Sequence, residues 1–159
     1  MLGQLRVLDN NGTEVQLAAA KLRTLLALLL VNRGRPVSVD RITDTLWGDV
    51  PPRSAPNLVQ GYILDLRRCL GAQEVTTVPG GYRLDVRRGS VDDERFEDLV
   101  GARRYEDALA LWHGAAFEEW AEQPWARANA ARLEEMRLSA VEARLAQEID
   151  AGLASAPLA

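Results

Sequence analysis

Hydrophobic and polar positions change their spacing several times near the start of the chain. Residues 4–8 and 13–17 alternate polar and apolar side chains around the turn sequence DNNG, which predicts a short two-stranded hairpin. The spacing becomes helical from Ala18, and Gly34 followed by Pro36 predicts the end of this first helix. Four leucines recur at helical spacing on the stripe that this helix buries: Leu22, Leu25, Leu26 and Leu29.

Two more helices and a second hairpin follow. Ser38 stands at the N-cap position of a short second helix, which the sequence GDVPP ends. A third helix is predicted from about Ala55 to Leu70, and residues 74–78 and 82–86 alternate around the tight turn PGG, which predicts two strands. The buried stripe of the third helix consists of Val59, Ile63, Leu66 and Leu70.

The second half of the chain is predicted to be helical throughout. Short helices are predicted over 92–100 and 105–112, and a long one from near Pro124 to Asp150. The long helix has two apolar faces, which predicts packing partners on two sides. The last residues, from 151 onward, are weakly patterned and we expect them to fray.

Charge differs between the two halves. Residues 1–88 hold 12 Lys or Arg against 8 Asp or Glu, a net charge of +4, whereas residues 89–159 hold 7 against 15, a net charge of −8. The polar stretch 87–93 lies at the change. We therefore expect one domain over residues 1–88 and a second over residues 89–159, with different partners.

The composition excludes several classes of protein. Hydrophobic residues make up 47% of the 159 positions, yet no apolar run approaches the roughly 20 residues that a membrane span needs. The N-terminal sequence lacks a signal peptide, and the single cysteine, Cys69, excludes an internal disulfide. These features predict a cytoplasmic protein that does not enter a membrane.

The third helix carries the candidate recognition residues. At about 100° per residue, Asn57, Gly61, Leu64 and Arg68 lie opposite its buried stripe. Asn and Gln bond adenine edges, Arg bonds guanine or phosphate, and an outward leucine can meet a thymine methyl group. The following hairpin is flanked by arginines and suits contacts to a DNA backbone. A merely solvated polar face is the alternative interpretation of this helix.

Four runs of the first domain carry a resemblance to a known family. They are AKLRTLLALLL, VSVDRITDTLWGDVPP, NLVQGYILDLRRCLGA and TTVPGGYRLDV. In this order they resemble the OmpR-type winged helix of the Streptomyces antibiotic regulatory protein (SARP) family over most of residues 2–88. The part from ERFEDLV through ALALWHG to PWARANAARLEEMRLSAVEARLAQ resembles the start of the family's bacterial transcriptional activation domain. The resemblance implies a mainly α fold with small β elements, in which an OmpR-type winged helix-turn-helix precedes a shortened all-α, tetratricopeptide-like module.

The resemblance also implies roles for single residues. Those that would face bases in the major groove are Asn57, Gln60, Gly61 and Leu64. Those that would lie near phosphates are Lys21, Arg53, Arg67 and Arg68. The hairpin over residues 74–86 would be the wing of this fold. Those residues that would place the wing at the adjacent minor groove are Val78, Gly80 and Arg83. Trp47 is expected mainly to pack the corner between the helices.

Three positions depart from the family's pattern. The family often has Ser and Arg where this chain has Leu64 and Asp65, and often has Arg in place of Val78. A carboxylate repels phosphate, although it can accept a hydrogen bond from the amino group of cytosine.

Candidates for catalysis or metal binding are few. His113 is the only histidine, and no Ser, Cys or acid is spaced to form a catalytic set with it. No cluster of His and Cys predicts a metal site, and the sequence indicates no cofactor. We expect a surface or capping role for His113 and the role of a small buried hydrophobe for Cys69.

These patterns predict a sequence-specific DNA-binding transcriptional regulator rather than an enzyme, and the resemblance implies an activator of secondary-metabolite genes. Its expected partners are double-stranded DNA, RNA polymerase and a second copy bound at repeated sites. The alternative is a winged-helix protein-interaction module, or the front end of a larger signalling regulator, with weak or no DNA binding. Asp65, Val78 and the modest positive charge favour that alternative.

Overall fold

The computed structural model describes residues 1–155. The tail that we expected to fray, residues 151–159, is helical over residues 151–155, and its remainder lies outside the described residues. The chain divides into two compact units. Leu5–Arg87 form the first, here called the winged unit, and Met1–Gln4 join the chain from Arg88 onward in the second, the helical unit. The first four residues therefore lie with the helical unit, although the sequence pattern grouped them with the winged unit.

The winged unit begins with the predicted hairpin. Strands β1 (Val7–Leu8) and β2 (Glu14–Val15) pair antiparallel. Three helices follow, α1 (Ala20–Val31), α2 (Val39–Trp47) and α3 (Ala55–Leu70). This order confirms the predicted fold class, which is mainly helical with small antiparallel sheets.

A three-stranded sheet completes the winged unit. Strands β4 (Val75–Val78) and β5 (Gly81–Leu84) form the predicted second hairpin, and β5 also pairs with a strand that the sequence pattern missed, β3 (Val37–Ser38). Gly81 pairs with Ser38 on one side and with Val78 on the other. The wing is thereby joined to the residues that immediately precede α2.

The core of the winged unit is centred on α1. The four leucines of its predicted stripe are all buried, and so are Ala27, Leu28 and Leu30. Each buried leucine contributes about 1.5–3 kcal/mol relative to an exposed one. The predicted N-cap of α2 is also confirmed, because the Ser38 hydroxyl accepts a hydrogen bond from the Arg41 amide at 3.1 Å.

The helical unit contains α4 (Asp92–Gly101), α5 (Tyr105–Leu109) and α6 (Pro124–Ser155). Successive helices contact one another, α4 with α5 and α5 with α6. Helix α5 ends three residues before the predicted position, because the chain turns from residue 110 to residue 123. Aromatic side chains fill this core, where Phe96 meets Trp112 edge-on at 5.3 Å between ring centroids.

Helix α6 buries only one of its two predicted apolar faces. The buried face consists of Ala126, Ala130, Leu133 and Ala140. On the other face Leu138, Leu145 and Ile149 are 66%, 46% and 62% exposed. The predicted second packing partner is therefore not found among residues 1–155.

Candidate DNA-binding interface

The outer face of α3 presents the predicted recognition residues to solvent. The buried residues of this helix are Ala55, Val59, Ile63 and Leu66. The exposed residues on the opposite side, here called the α3 outer face, are Asn57, Gln60, Gly61, Leu64 and Arg68. The side-chain amides of Asn57 and Gln60 form no hydrogen bond with any residue between 1 and 155. Both therefore keep their full donor and acceptor capacity for an outside partner.

Gly61 lies in the middle of this face without any neighbour. A Cβ atom built on it would meet nothing within 4 Å, and its φ is not in the left-handed region. Glycine in a helix interior costs about 1 kcal/mol relative to alanine. The fold of the winged unit therefore gives no reason for glycine at this position.

Asp65 and Arg68 form an ion pair on the surface of α3. Arg68 Nη1 lies 2.9 Å from Asp65 Oδ1, and both side chains are exposed. Such exposed pairs contribute only about 0.2–1 kcal/mol, so the guanidinium can exchange this carboxylate for a phosphate at small cost. While the pair is intact, it neutralises the carboxylate that departs from the family's pattern.

Arg67 fastens α3 to the wing. Its Nε donates to the Val75 carbonyl at 2.9 Å, and its Nη2 donates to the Thr77 hydroxyl at 2.8 Å. Both partners lie on β4, so this planar guanidinium holds two elements in a fixed relation. The structure thus gives Arg67, which was predicted to lie near phosphates, a bracing role within the unit.

The tip of the wing is a tight turn at Pro79 and Gly80. Gly80 has a φ of +75°, and its carbonyl accepts a hydrogen bond from the Val39 amide at 3.0 Å. Val78 is half-buried, and Arg83 Nε donates to both carboxylate oxygens of Asp85 at 2.7 and 2.9 Å. The wing therefore stands beside the start of α2 with its arginine already paired.

Lys21 and Trp47 connect α1, α2 and α3. Lys21 Nζ donates to the Leu46 carbonyl at 2.6 Å and lies 5.3 Å from the centroid of the Trp47 ring. Trp47 is half-buried and stacks on Tyr62, with 6.5 Å between the ring centroids. Trp47 thus packs the corner between helices as predicted, and Lys21 is engaged at the same corner.

Arg53 is the predicted phosphate contact that stays uncommitted. It is exposed just before α3 and forms no hydrogen bond or ion pair with the part of the chain that the structure describes. It therefore offers an exposed and unpaired positive charge beside the start of the recognition helix.

The residues considered for other chemistry belong to different units. His113 is exposed in the helical unit and Cys69 is half-buried near the end of α3. Within residues 1–155 no three His, Cys, Asp or Glu side chains are grouped to hold a metal ion. In the same range no helix combines the length and the apolar character that crossing a bilayer requires.

Two family models match the chain in succession. Residues 12–84 match the model described as transcriptional regulatory protein, C terminal. Residues 84–159 match the model described as bacterial transcriptional activator domain. The change from one model to the other falls at the end of β5.

Individual relatives are similar over nearly the whole chain. The regulatory protein DnrI of Streptomyces peucetius is 36% identical, with 96% of this chain and 65% of its own length covered. The transcriptional regulatory protein EmbR of Mycobacterium tuberculosis is 32% identical, with 100% and 46% covered. A solved structure of that EmbR, in complex with a low affinity phosphopeptide, has a TM-score of 0.77 at 30% identity and covers 97% of this chain and 46% of its own. The chain spans about half to two thirds of the length of these relatives.

Proposed function

This chain belongs to the Streptomyces antibiotic regulatory protein family, and we propose that it regulates transcription by binding specific DNA sequences through α3. The observation that carries this proposal is the α3 outer face, where two side-chain amides make no bond within residues 1–155, on the same helix that Arg67 ties to the wing. Amides read adenine edges in the major groove, and a braced hairpin suits contacts to the adjoining backbone. The matches to a regulatory C-terminal model, to the regulatory protein DnrI and to the transcriptional regulatory protein EmbR support the same function.

The first test separates backbone contacts from base contacts. Duplexes selected by the protein from a random library are measured by mobility shift across a salt series. Arg53→Ala is expected to weaken binding to every sequence and to reduce the salt slope by about 0.9, because one phosphate contact is lost. Asn57→Ala is expected to weaken binding to the selected sequence about tenfold and binding to unrelated sequences much less.

A matched control comes from the first hairpin. Arg6→Ala removes the same charge from the residue just before β1, whose guanidinium pairs with Glu14 of β2, and is expected to leave the salt slope unchanged. Absence of a shift at low salt with every duplex would contradict DNA binding and favour the protein-interaction module. Equal losses from Arg6→Ala and Arg53→Ala would contradict the placement of DNA at α3.

We further propose that the helical unit activates transcription by contacting RNA polymerase. The support is its surface, because the chain from residue 89 carries a net charge of −8 and α6 exposes Leu138, Leu145 and Ile149 along one side. Apolar residues exposed in a row beside acidic ones favour a protein partner over nucleic acid. The match to a bacterial transcriptional activator domain agrees with this role.

The row of apolar residues on α6 gives this proposal its test. Replacing Leu138, Leu145 and Ile149 together by serine is expected to abolish stimulation of transcription in a purified system and to leave DNA affinity unchanged. Exposed positions tolerate such changes within about 0.5 kcal/mol each, so the fold is retained. The control is Val50→Ser, which alters an exposed residue of the winged unit. Undiminished stimulation by the triple variant would refute the proposed contact.

Three further features complete the proposal. We place two copies of the protein on direct or inverted repeats in promoters of secondary-metabolite genes, as the family resemblance implies.

We place the protein in the cytoplasm, where a single reduced cysteine such as Cys69 is usual. We assign it no catalytic activity, in keeping with a family of regulators. Footprints on selected promoters check the repeats, because two protected half-sites are expected in each.

A further inference from the structure

One exposed leucine stands where the α3 outer face is otherwise polar. Within the winged unit, all of which is described, four large apolar side chains are exposed, namely Leu8, Val50, Leu58 and Leu64. By helix geometry Leu64 lies within about 40° of the outward direction of α3, and Leu58 lies about 80° from it. Leu64 is 51% exposed and is therefore the apolar group that a docked duplex meets first.

Gly61 lies one turn before Leu64 and makes the leucine more accessible. Because Gly61 has no side chain and no other group lies within 4 Å of the position of its missing Cβ, the α3 backbone is uncovered beside Leu64. A groove wall can thus approach the α3 backbone at residue 61 while the leucine projects beside it. Folding explains neither residue, since an exposed leucine gains little burial and a mid-helix glycine costs about 1 kcal/mol.

We propose that Leu64 recognises the 5-methyl group of thymine, so that the binding site contains a T·A pair under the middle of α3. This inference rests on the proposed DNA binding and deepens it. The C5-methyl of thymine is the apolar group on the major-groove edges of the four base pairs, so an apolar side chain that points into the groove selects it. Gly61 supplies the close approach that brings Leu64 into contact with this methyl.

The neighbours of Leu64 favour the same base pair. Gln60 lies four residues earlier, on the same side of α3, and its amide bonds nothing within residues 1–155. A glutamine amide pairs with N6 and N7 of adenine. Gln60 and Leu64 together therefore match an adenine and a thymine methyl. The polar and basic surroundings, with Asn57 and Arg68 on the same face, favour DNA over an apolar protein surface here.

The test uses thymine and uracil, which differ only in this methyl. Duplexes selected from a random library are resynthesised with deoxyuridine replacing each thymidine in turn, and affinities are measured by fluorescence anisotropy. At one position in each half-site the uracil duplex is expected to bind about fourfold more weakly, the equivalent of one buried methyl group. Leu64→Ala is expected to bind the thymine and uracil duplexes equally.

Leu58→Ala is the matched control, because it removes another exposed leucine from α3 and is expected to keep the fourfold preference for thymine. Wild-type protein that binds selected duplexes without any thymine preference would overturn the inference. A preference that persists in Leu64→Ala would overturn it as well. In both cases the proposed DNA binding stands, whereas failure to bind any duplex at low salt refutes the proposed function itself.

Discussion

Replacing Gly81 by alanine is expected to destabilise the winged unit by about 3 kcal/mol, as overpacking against immovable atoms does. The new Cβ would stand 2.0 Å from the Val37 carbonyl oxygen and 2.8 Å from its carbon. These atoms belong to the backbone of β3, which cannot rotate away as a flexible side chain would. Strands β3 and β5 must then separate, which exposes the buried side chains of Val37 and Tyr82 to solvent. Urea unfolding followed by circular dichroism measures the loss.

Gly80 provides the control for this prediction. It is the adjacent residue and has a φ of +75°, yet its missing Cβ has no neighbour within 4 Å. Gly80→Ala is therefore expected to cost about 1–2 kcal/mol of backbone strain without separating β3 from β5. The two variants differ in cause and in size. Equal stability of Gly81→Ala and wild type would show that β3 and β5 are not as close as this structure has them.

The contrast between these glycines illustrates which parts of the fold the sequence could predict. The hairpins at β1–β2 and β4–β5 have alternating residues around turn sequences, so their pairing is local. Strand β3 has only two residues, too few to show a period of two, and its partner Tyr82 lies more than forty residues away. Turn glycines can be recognised from neighbouring residues, but the requirement for glycine at residue 81 arises from a distant strand.

The candidate site divides in the same way. The outward direction of Asn57, Gly61 and Leu64 follows from helix geometry and was predicted correctly. The engagement of Lys21 and Arg67 was not predicted, because their acceptors are carbonyls of residues that only the fold brings near. Sequence spacing shows which side of a helix a charge occupies. It does not show whether the charge is already satisfied.

Spacing along α3 also indicates an ion pair. Asp65 and Arg68 stand three residues apart on α3, a separation at which opposite charges pair on a helix. Asp65 is consequently paired with a cation of its own helix, which reduces its repulsion of phosphate. For the long helix α6, by contrast, spacing along the sequence was not enough to predict burial. Its two apolar faces were recognised from the sequence, but which of them is covered depends on the other helices.

Replacing Gly61 by alanine is expected to raise stability and to lower DNA affinity, two effects of opposite sign from a single methyl group. The free energy of unfolding should rise by about 1 kcal/mol, because alanine is the better helix former and no neighbour opposes its Cβ. Affinity for selected duplexes should fall about tenfold, because the methyl group holds the base edges away from Gln60 and Leu64. A variant that is merely damaged loses both properties together.

Gly152 provides the control for Gly61→Ala. It is an exposed glycine of α6, and a Cβ on it would likewise meet nothing within 4 Å. Gly152→Ala is therefore expected to stabilise its helix without changing DNA affinity. Thermal unfolding and anisotropy titrations on the same samples give both quantities. Unchanged affinity in Gly61→Ala would mean that the backbone at residue 61 does not approach a duplex. In that case the glycine would be incidental, and Leu64 would have to reach thymine without this close approach.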